Sequence, residues 1–475
     1  MDKMKFYSYL FLMIMVSLGL TSCEDELDIL PITEKSANSF FSNEAEIESA
    51  IAGAYGQLQD GGLYGLDLIG VGEISGEDSF EEIAANDGGR FGQLDDFSTN
   101  PGNDLVGDIW RESYRGIQRV NVVLNRITDI EFEDPALKTN RIGEMKFVRA
   151  LLYFNLVRLY GDVPLVVEET ESPFDFFGQG RTPSDQVYAQ IEADLLDAIQ
   201  ELPLEKSPAR PAQGAARALL ANVQMTQGDF SGALTNLEAV VNSGIYDLMP
   251  TTAEIFGVAN EGNAEILFEV QFASGFNVDG SFEGSPAASQ FRPSGTTANA
   301  KGHNLPTQAF IDSHEAGDTR LIDYVAVDPD ANPFYFTTKY EVSATGVNDG
   351  GSDHLIIRYS DVVLRYAEML NENGQTAEAI TQLNRIRTRA GLAGTTASSQ
   401  DDIRDAIRLE RRFELFGEGH RWFDLKRYGN AVEVMNAFFE STGATTRITE
   451  NNLVLPIPQS QLDTDPGVIT QNPGY

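Results

Sequence analysis

Residues 213–242, QGAARALLANVQMTQGDFSGALTNLEAVVN, decide the fold. Gly228-Asp229-Phe230 divides two apolar-periodic runs, with Ala218 and Ala221 before it and Ala233 and Leu237 after it. The same arrangement returns around Gly374-Gln375-Thr376, with Ala367 before and Ala379 and Leu383 after. Ala221, Gly228, Ala233 and Leu237 are each displaced by the same 146 residues. Helix, glycine turn, helix, with alanine at the close contact, is the logic of a tetratricopeptide-like pair. Small residues let two antiparallel helices approach, and each pair must stack on neighbours to cover its apolar face.

Working outward, more helices emerge. Trp110, Tyr114, Ile117, Asn121 and Leu124 alternate spacings of four and three, as one helix face does. Residues 144–160 carry apolar side chains on two faces, Phe147, Leu151 and Phe154 on one and Val148, Leu152 and Leu159 on the other, so this helix is packed between others. Gly161 and Pro164 end it. Thr182-Pro183-Ser184-Asp185 predicts a helix start with Thr182 as N-cap, Pro183 in the first turn and Asp185 near the amide dipole. Residues 59–103 and 260–351 differ in texture: Gly, Ser, Asn, Asp and Pro with scattered Phe and Tyr, and no helical period. Irregular stretches this long are functional or disordered, and their aromatics argue for order. Short strands are expected at 265–272 and 454–457.

The N-terminus sets the address. Lys3 and Lys5 precede an apolar run from Phe6 to Leu18, broken only by Ser8 and Ser17. The run falls short of the about 20 residues a membrane span needs and reads as a secretory signal. Leu20-Thr21-Ser22-Cys23 has the form of a bacterial lipobox. Cys23 is the only cysteine in 475 residues, so no internal disulfide can form and lipidation is its expected fate. Glu24, Asp25, Glu26 and Asp28 follow as an acidic linker. The formal net charge of −38 repels phosphate backbones and anionic membrane surfaces, which excludes nucleic-acid binding and leaves the lipid as the anchor.

Further stretches run in a familiar order: Tyr114-Arg115-Gly116-Ile117 to Leu124; Ala150 to Phe154 and on to Leu159-Tyr160-Gly161-Asp162-Val163-Pro164; Tyr359-Ser360-Asp361-Val362 with Tyr366-Ala367-Glu368; Arg408-Leu409-Glu410-Arg411-Arg412; Gly419-His420-Arg421-Trp422-Phe423-Asp424; and the closing Asn472-Pro473-Gly474-Tyr475. Together with the lipobox they span nearly the whole chain, which resembles the SusD/RagB family of outer-membrane lipoproteins. The resemblance implies a mostly α fold, with tetratricopeptide-like pairs forming a platform and an irregular lobe with short strands. It also implies a surface-exposed protein on the outer membrane, paired with a SusC-like TonB-dependent transporter and capturing oligosaccharides for import. The expected division is signal peptide 1–22, acidic linker 23–37, N-terminal helical region 38–250, loop-rich lobe 251–355 and C-terminal region 356–475. Peptide cargo is the alternative, because some relatives carry peptides; a surface glycoside hydrolase is the third reading.

The residues themselves offer little to catalysis. His303, His314, His354 and His420 form no H-E-x-x-H pattern, and there is no G-x-S-x-G elbow or P-loop. Gly70-Val71-Gly72 followed by Gly76 misses the dinucleotide spacing. Acidic pairs such as Asp95-Asp96 are expected as solvated surface in a chain with 72 acidic residues. Asp328, Asp330 and Asn332 lack the Gly and closing Glu of a calcium loop, so no metal and no cofactor is expected. In the block 408–427, Arg411, Glu414, Arg421 and Asp424 are expected to satisfy one another around Trp422 and Phe423. A sugar platform needs ring faces beside short polar groups on loops over a rigid scaffold. Trp110 and Trp422 fall on helices, so the candidates are Tyr64, Asp78, Phe80, Arg90 and Phe91 in the first irregular stretch. The second stretch supplies Phe276, Phe282, Gln290, Phe291, Arg292 and Tyr335. The lobe's cations Arg292, Lys301, Arg320 and Lys339 are scattered, which favours a neutral glycan over a polyanionic one.

Overall fold

A computed structural model describes residues 41–475, apart from 173, 208, 276, 279, 280, 283, 329, 331 and 343–346 and the side chains of 277, 278, 281 and 282. The leader, Cys23 and the acidic linker lie outside the described residues.

The helical platform begins with α1 (Glu44–Leu58), α2 (Asp67–Ile74), α3 (Asp104–Arg126), α4 (Pro135–Tyr160) and α5 (Ser184–Glu201). It continues with α6 (Gln213–Gln227) and α7 (Phe230–Asn242), and after the lobe with α8 (Tyr359–Glu372) and α9 (Thr376–Arg389). The repeat is realised as two adjoining pairs, since α6 packs on α7, α8 on α9, and α7 on α8. Gly228 and Gly374 take φ of 82° and 79°, the left-handed region where an L side chain is strained, and this lets the chain double back. Ala233, Leu237, Ala379 and Leu383 are fully buried at the close contacts. α4 is covered from Met145 to Tyr160 on both predicted faces, between α3 and α5, and Arg149 clamps it to Asp194 of α5 at 2.7 and 2.8 Å.

Two local expectations need correction. α5 starts at Ser184, not at a Thr182 cap. Thr182 pairs with Val163 in an isolated bridge, and the Ser184 N–H donates instead to Asp162 Oδ1 at 2.8 Å. Residues 454–457 form no ladder; the Leu455 N–H donates to the Leu159 carbonyl at the end of α4, so the segment is pinned to a helix. The strand at 265–272 is present as Ile266–Val270 and pairs antiparallel with His354–Arg358, which runs straight into α8.

The sequence also concealed a helix. α2 is buried at every position, so it has no polar face to reveal a period. Its Gly72 is a packing residue: a Cβ there would sit 2.2 Å from the Gly419 carbonyl oxygen.

α10 (Gln400–Glu414), α11 (Arg421–Tyr428) and α12 (Ala431–Thr442) close the chain over a buried ion-pair network. Arg411 bridges Asp361 of α8 at 2.7 Å and Asp424 of α11 at 3.0 Å. Glu414 takes Arg358 at 2.7 Å and Arg389, while Arg421 takes Glu77. The charged block is structural, as its composition suggests, but only Arg411 and Asp424 of the expected four pair with each other. The other partners come from distant segments.

Candidate functional site

In the lobe, β1 (Ser79–Phe80) pairs with β2 (Leu305–Pro306), and β3 (Val325–Asp328) pairs with β4 (Asn332–Thr337), which lies beside β2. Alternation along β4 puts Phe334 and Phe336 on one face and Tyr335 on the other. Phe334 is 40% exposed and meets the half-buried Phe80 edge to face, with centroids 5.4 Å apart and planes at 71°. Phe336 is covered by the Arg292 guanidinium, 4.5 Å from its ring centroid. Burial lowers the Arg292 pKa, and among the described residues its Nε has no hydrogen-bond partner.

A polar rim surrounds the aromatic pair. Asn332 Nδ2 donates to Glu82 Oε1 at 2.8 Å, and Glu82 Oε2 accepts the Ser294 N–H at 2.7 Å. Lys301 pairs with Asp87 at 3.0 Å, and Asn86 Nδ2 donates to the Lys301 carbonyl. Ile83 is exposed beside them. These loops are anchored to the platform. Arg412 of α10 grips both oxygens of Asp78, and Arg90 pairs with Asp67 of α2 and Asp108 of α3.

Among the expected site residues, Phe80 and Arg292 therefore both lie at this surface, Phe80 against Phe334 and Arg292 over Phe336. Tyr335 is half-buried on the opposite face of β4, against the cluster of Phe310 and Phe413. Gln290 is half-buried and donates to Asn348 Oδ1 at 3.3 Å. Four expectations are corrected by burial. Phe91 (0% exposed) packs on His303, Phe291 (1%) on Tyr340, and Tyr64 (7%) accepts from Asn155 in the core; none offers a ring face to a ligand. Asp78 is buried too, and with Arg90 it serves as an anchor of the loops. Phe276 lies outside the described residues, as does the side chain of Phe282, whose backbone pairs with Asn277 in a short hairpin. Among the described residues, no group of three or more His, Cys, Asp and Glu side chains could hold a metal ion.

Residues 319–475 match the profile of the SusD family, and residues 27–225 match one described as starch-binding associating with outer membrane. This chain belongs to the SusD/RagB family. A SusD-like protein of Formosa agariphila is 27% identical over 517 aligned residues, covering 99% of this chain and 100% of that one. A solved structure of a laminarin-binding SusD-like protein superposes with a TM-score of 0.78 at 28% identity, over 91% of this chain and 100% of the other. Surface glycan-binding protein A from Bacteroides uniformis gives 0.77 at 25% identity, over 90% and 99%.

A recess of this SusD-family chain, 630 Å³ beside Trp110 and Tyr114, is a poorer candidate. Trp110 is buried, as expected, and the Tyr114 hydroxyl is spent on the Pro164 carbonyl at 2.6 Å. Sequence reasoning missed Phe334, Asn332, Glu82 and Ser294. One signal was available: in Asn332-Pro333-Phe334-Tyr335-Phe336, period two separates Tyr335 from the two phenylalanines and shows that they face opposite ways.

Proposed function

We propose that this SusD-family protein captures a neutral oligosaccharide at the Phe80–Phe334 surface and is not an enzyme. The observation that carries this reading is the exposed Phe334 ring packed on the half-buried Phe80 with polar side chains beside them, on segments clamped to the helical platform by the Asp78–Arg412 pair. Sugar rings stack their C–H faces on aromatic side chains, and the rim amides and carboxylates take hydroxyls. Neutral cargo follows from the fate of the four cations of the lobe. Arg292 covers Phe336, Lys301 pairs with Asp87, Arg320 is buried on Asp318, and Lys339 is buried on Glu418. Three of the four are held by carboxylates, and only Arg292, lying over Phe336, lacks one. The relative named for laminarin binding supports a glucan-like ligand.

Delivery to a SusC-like TonB-dependent transporter, and attachment to the outer membrane through acylated Cys23, belong to the same reading. Changing Cys23 to Ala should release the protein into the soluble fraction, and detergent extracts of the outer membrane should yield it with a large transporter. The binding reading is tested by screening the purified protein on a glycan array that includes neutral, sulfated and uronate polysaccharides. Retention of neutral glucans with unchanged chain length is expected. Preference for the anionic set, or release of shorter oligosaccharides, overturns it.

A further inference from the structure

Inside the platform, where α4, α8 and the start of α11 converge, lies a cavity of 60 Å³ bounded by Tyr64, Asn155, Arg158, Asp361, Arg365 and His420. At about 10–15 Å³ per water-sized position it has room for roughly four to six of them, too few for a sugar ring.

The charges around it do not balance. Arg365 Nε lies 2.8 Å from both oxygens of Asp361, Arg411 bridges Asp361 and Asp424, and Arg427 takes Asp424 and Glu368. Three guanidiniums thus share three carboxylates, and Glu418, which also lines the cavity, is taken by Arg358 and Lys339. Arg158 is left over. Its guanidinium lies between the rings of Phe154 and Phe423, at 3.9 and 3.8 Å from their centroids. Its Nε donates to the Phe154 carbonyl and its Nη2 to Asn155 Oδ1. Lys426 donates to the Arg158 carbonyl. Among the described residues neither cation has a carboxylate within ion-pair distance. Burial pulls Arg158 down to about 10 and Lys426 to about 7, the mark of cations left without a counter-charge.

Donors are also uncommitted here. Arg365 is 4% exposed, and among the described residues its Nη1 has no hydrogen-bond partner. Tyr64 accepts from Asn155 Nδ2 at 2.7 Å, and its own proton meets no acceptor among the described residues. Water would fill the space, but it cannot neutralise the half-buried Arg158 and Lys426 or supply a counter-charge beside the buried Arg365. The acidic exterior does not decide the matter, because at physiological salt its field is screened over about 8 Å.

We propose that this cavity binds one small monovalent inorganic anion of halide size, held by Arg158, Arg365 and Tyr64. The anion ties α4 to α8 and to the turn before α2, elements from opposite halves of the chain. The site is independent of the glycan surface.

Crystals of the purified protein soaked in sodium bromide should show an anomalous peak inside the cavity, between Arg158 and Arg365. A map with no peak there overturns the proposal and leaves a water-filled void. In solution the Tm should climb with each tenfold increase in chloride and not with gluconate at the same ionic strength, because only a bound anion stabilises by mass action. Arg158→Met should abolish that difference; an equal response to both salts in the wild-type protein counts against the site. If Arg158→Met fails to fold, the bromide map of the unaltered protein decides.

Discussion

Phe80 and Phe334 meet edge to face at 5.4 Å although they come from opposite halves of the chain, and Phe334 keeps part of its ring in solvent. This contact joins the two irregular stretches into one surface, and it sets the first prediction. Phe334→Ala and Phe80→Ala should each lower glycan affinity about ten- to hundredfold, since a stacked ring contributes on the order of 1.5–3 kcal/mol. Phe334→Ala should leave the Tm nearly unchanged. Titration calorimetry with laminarin-type oligosaccharides checks it; full affinity in the double variant moves the site elsewhere.

Phe291 should behave in the opposite way. Its ring is in the core against Tyr340. Phe291→Ala should cost about 3–5 kcal/mol of stability through cavity formation. Whatever fraction stays folded should bind glycan with ordinary affinity. Chemical denaturation followed by binding measurements separates the two effects.

Arg411→Ala should be among the most damaging single changes. It leaves Asp361 and Asp424 partly unmatched in the interior, and breaking a buried pair typically costs about 3–5 kcal/mol. Arg404→Ala, which removes the more exposed partner of Glu372 and Asp401, should cost under about 1 kcal/mol. Similar losses in both variants would mean that the buried network is not what holds α8, α10 and α11 together.

Acid should unfold the protein through the same network. Burial works against charge at Glu414 and Asp361. The guanidiniums of Arg389 and Arg358 at Glu414, and of Arg365 and Arg411 at Asp361, outweigh it and hold both carboxyls far below the ordinary range. Folded-state pKa values below the unfolded ones give stability that is present above about pH 4 and lost as the pH falls further. Tm measured from pH 7 down to 3 should drop steeply at the acid end.

Glu73 predicts the opposite slope at higher pH. Burial raises it to about 8, even though its Oε1 accepts the N–H groups of Gly419 and His420. A folded pKa above the unfolded one gives stability that is present at low pH and lost as pH rises from about 4.5 towards 8. Glu73→Gln cannot ionise and should flatten the fall in Tm over that window. An unchanged pH profile in the variant would assign the slope to other groups.

The helix pairs were legible because their signals are local. Glycines at 228 and 374 that must take positive φ, and alanines one turn away, report on a few neighbouring bonds and on a 3.6-residue period. The acidic charge is likewise a property of composition, and the expected N-terminal address rests on residue order alone. Tertiary structure alone decided which aromatics of the irregular stretches face solvent. No period distinguishes Phe91 and Phe291, which are buried, from Phe80 and Phe334, which form the surface; the difference lies in what packs above each ring. It alone also matched Arg421 to Glu77 and Arg412 to Asp78, because a guanidinium takes whichever carboxylate the fold brings within reach, and sequence distance carries no information about that.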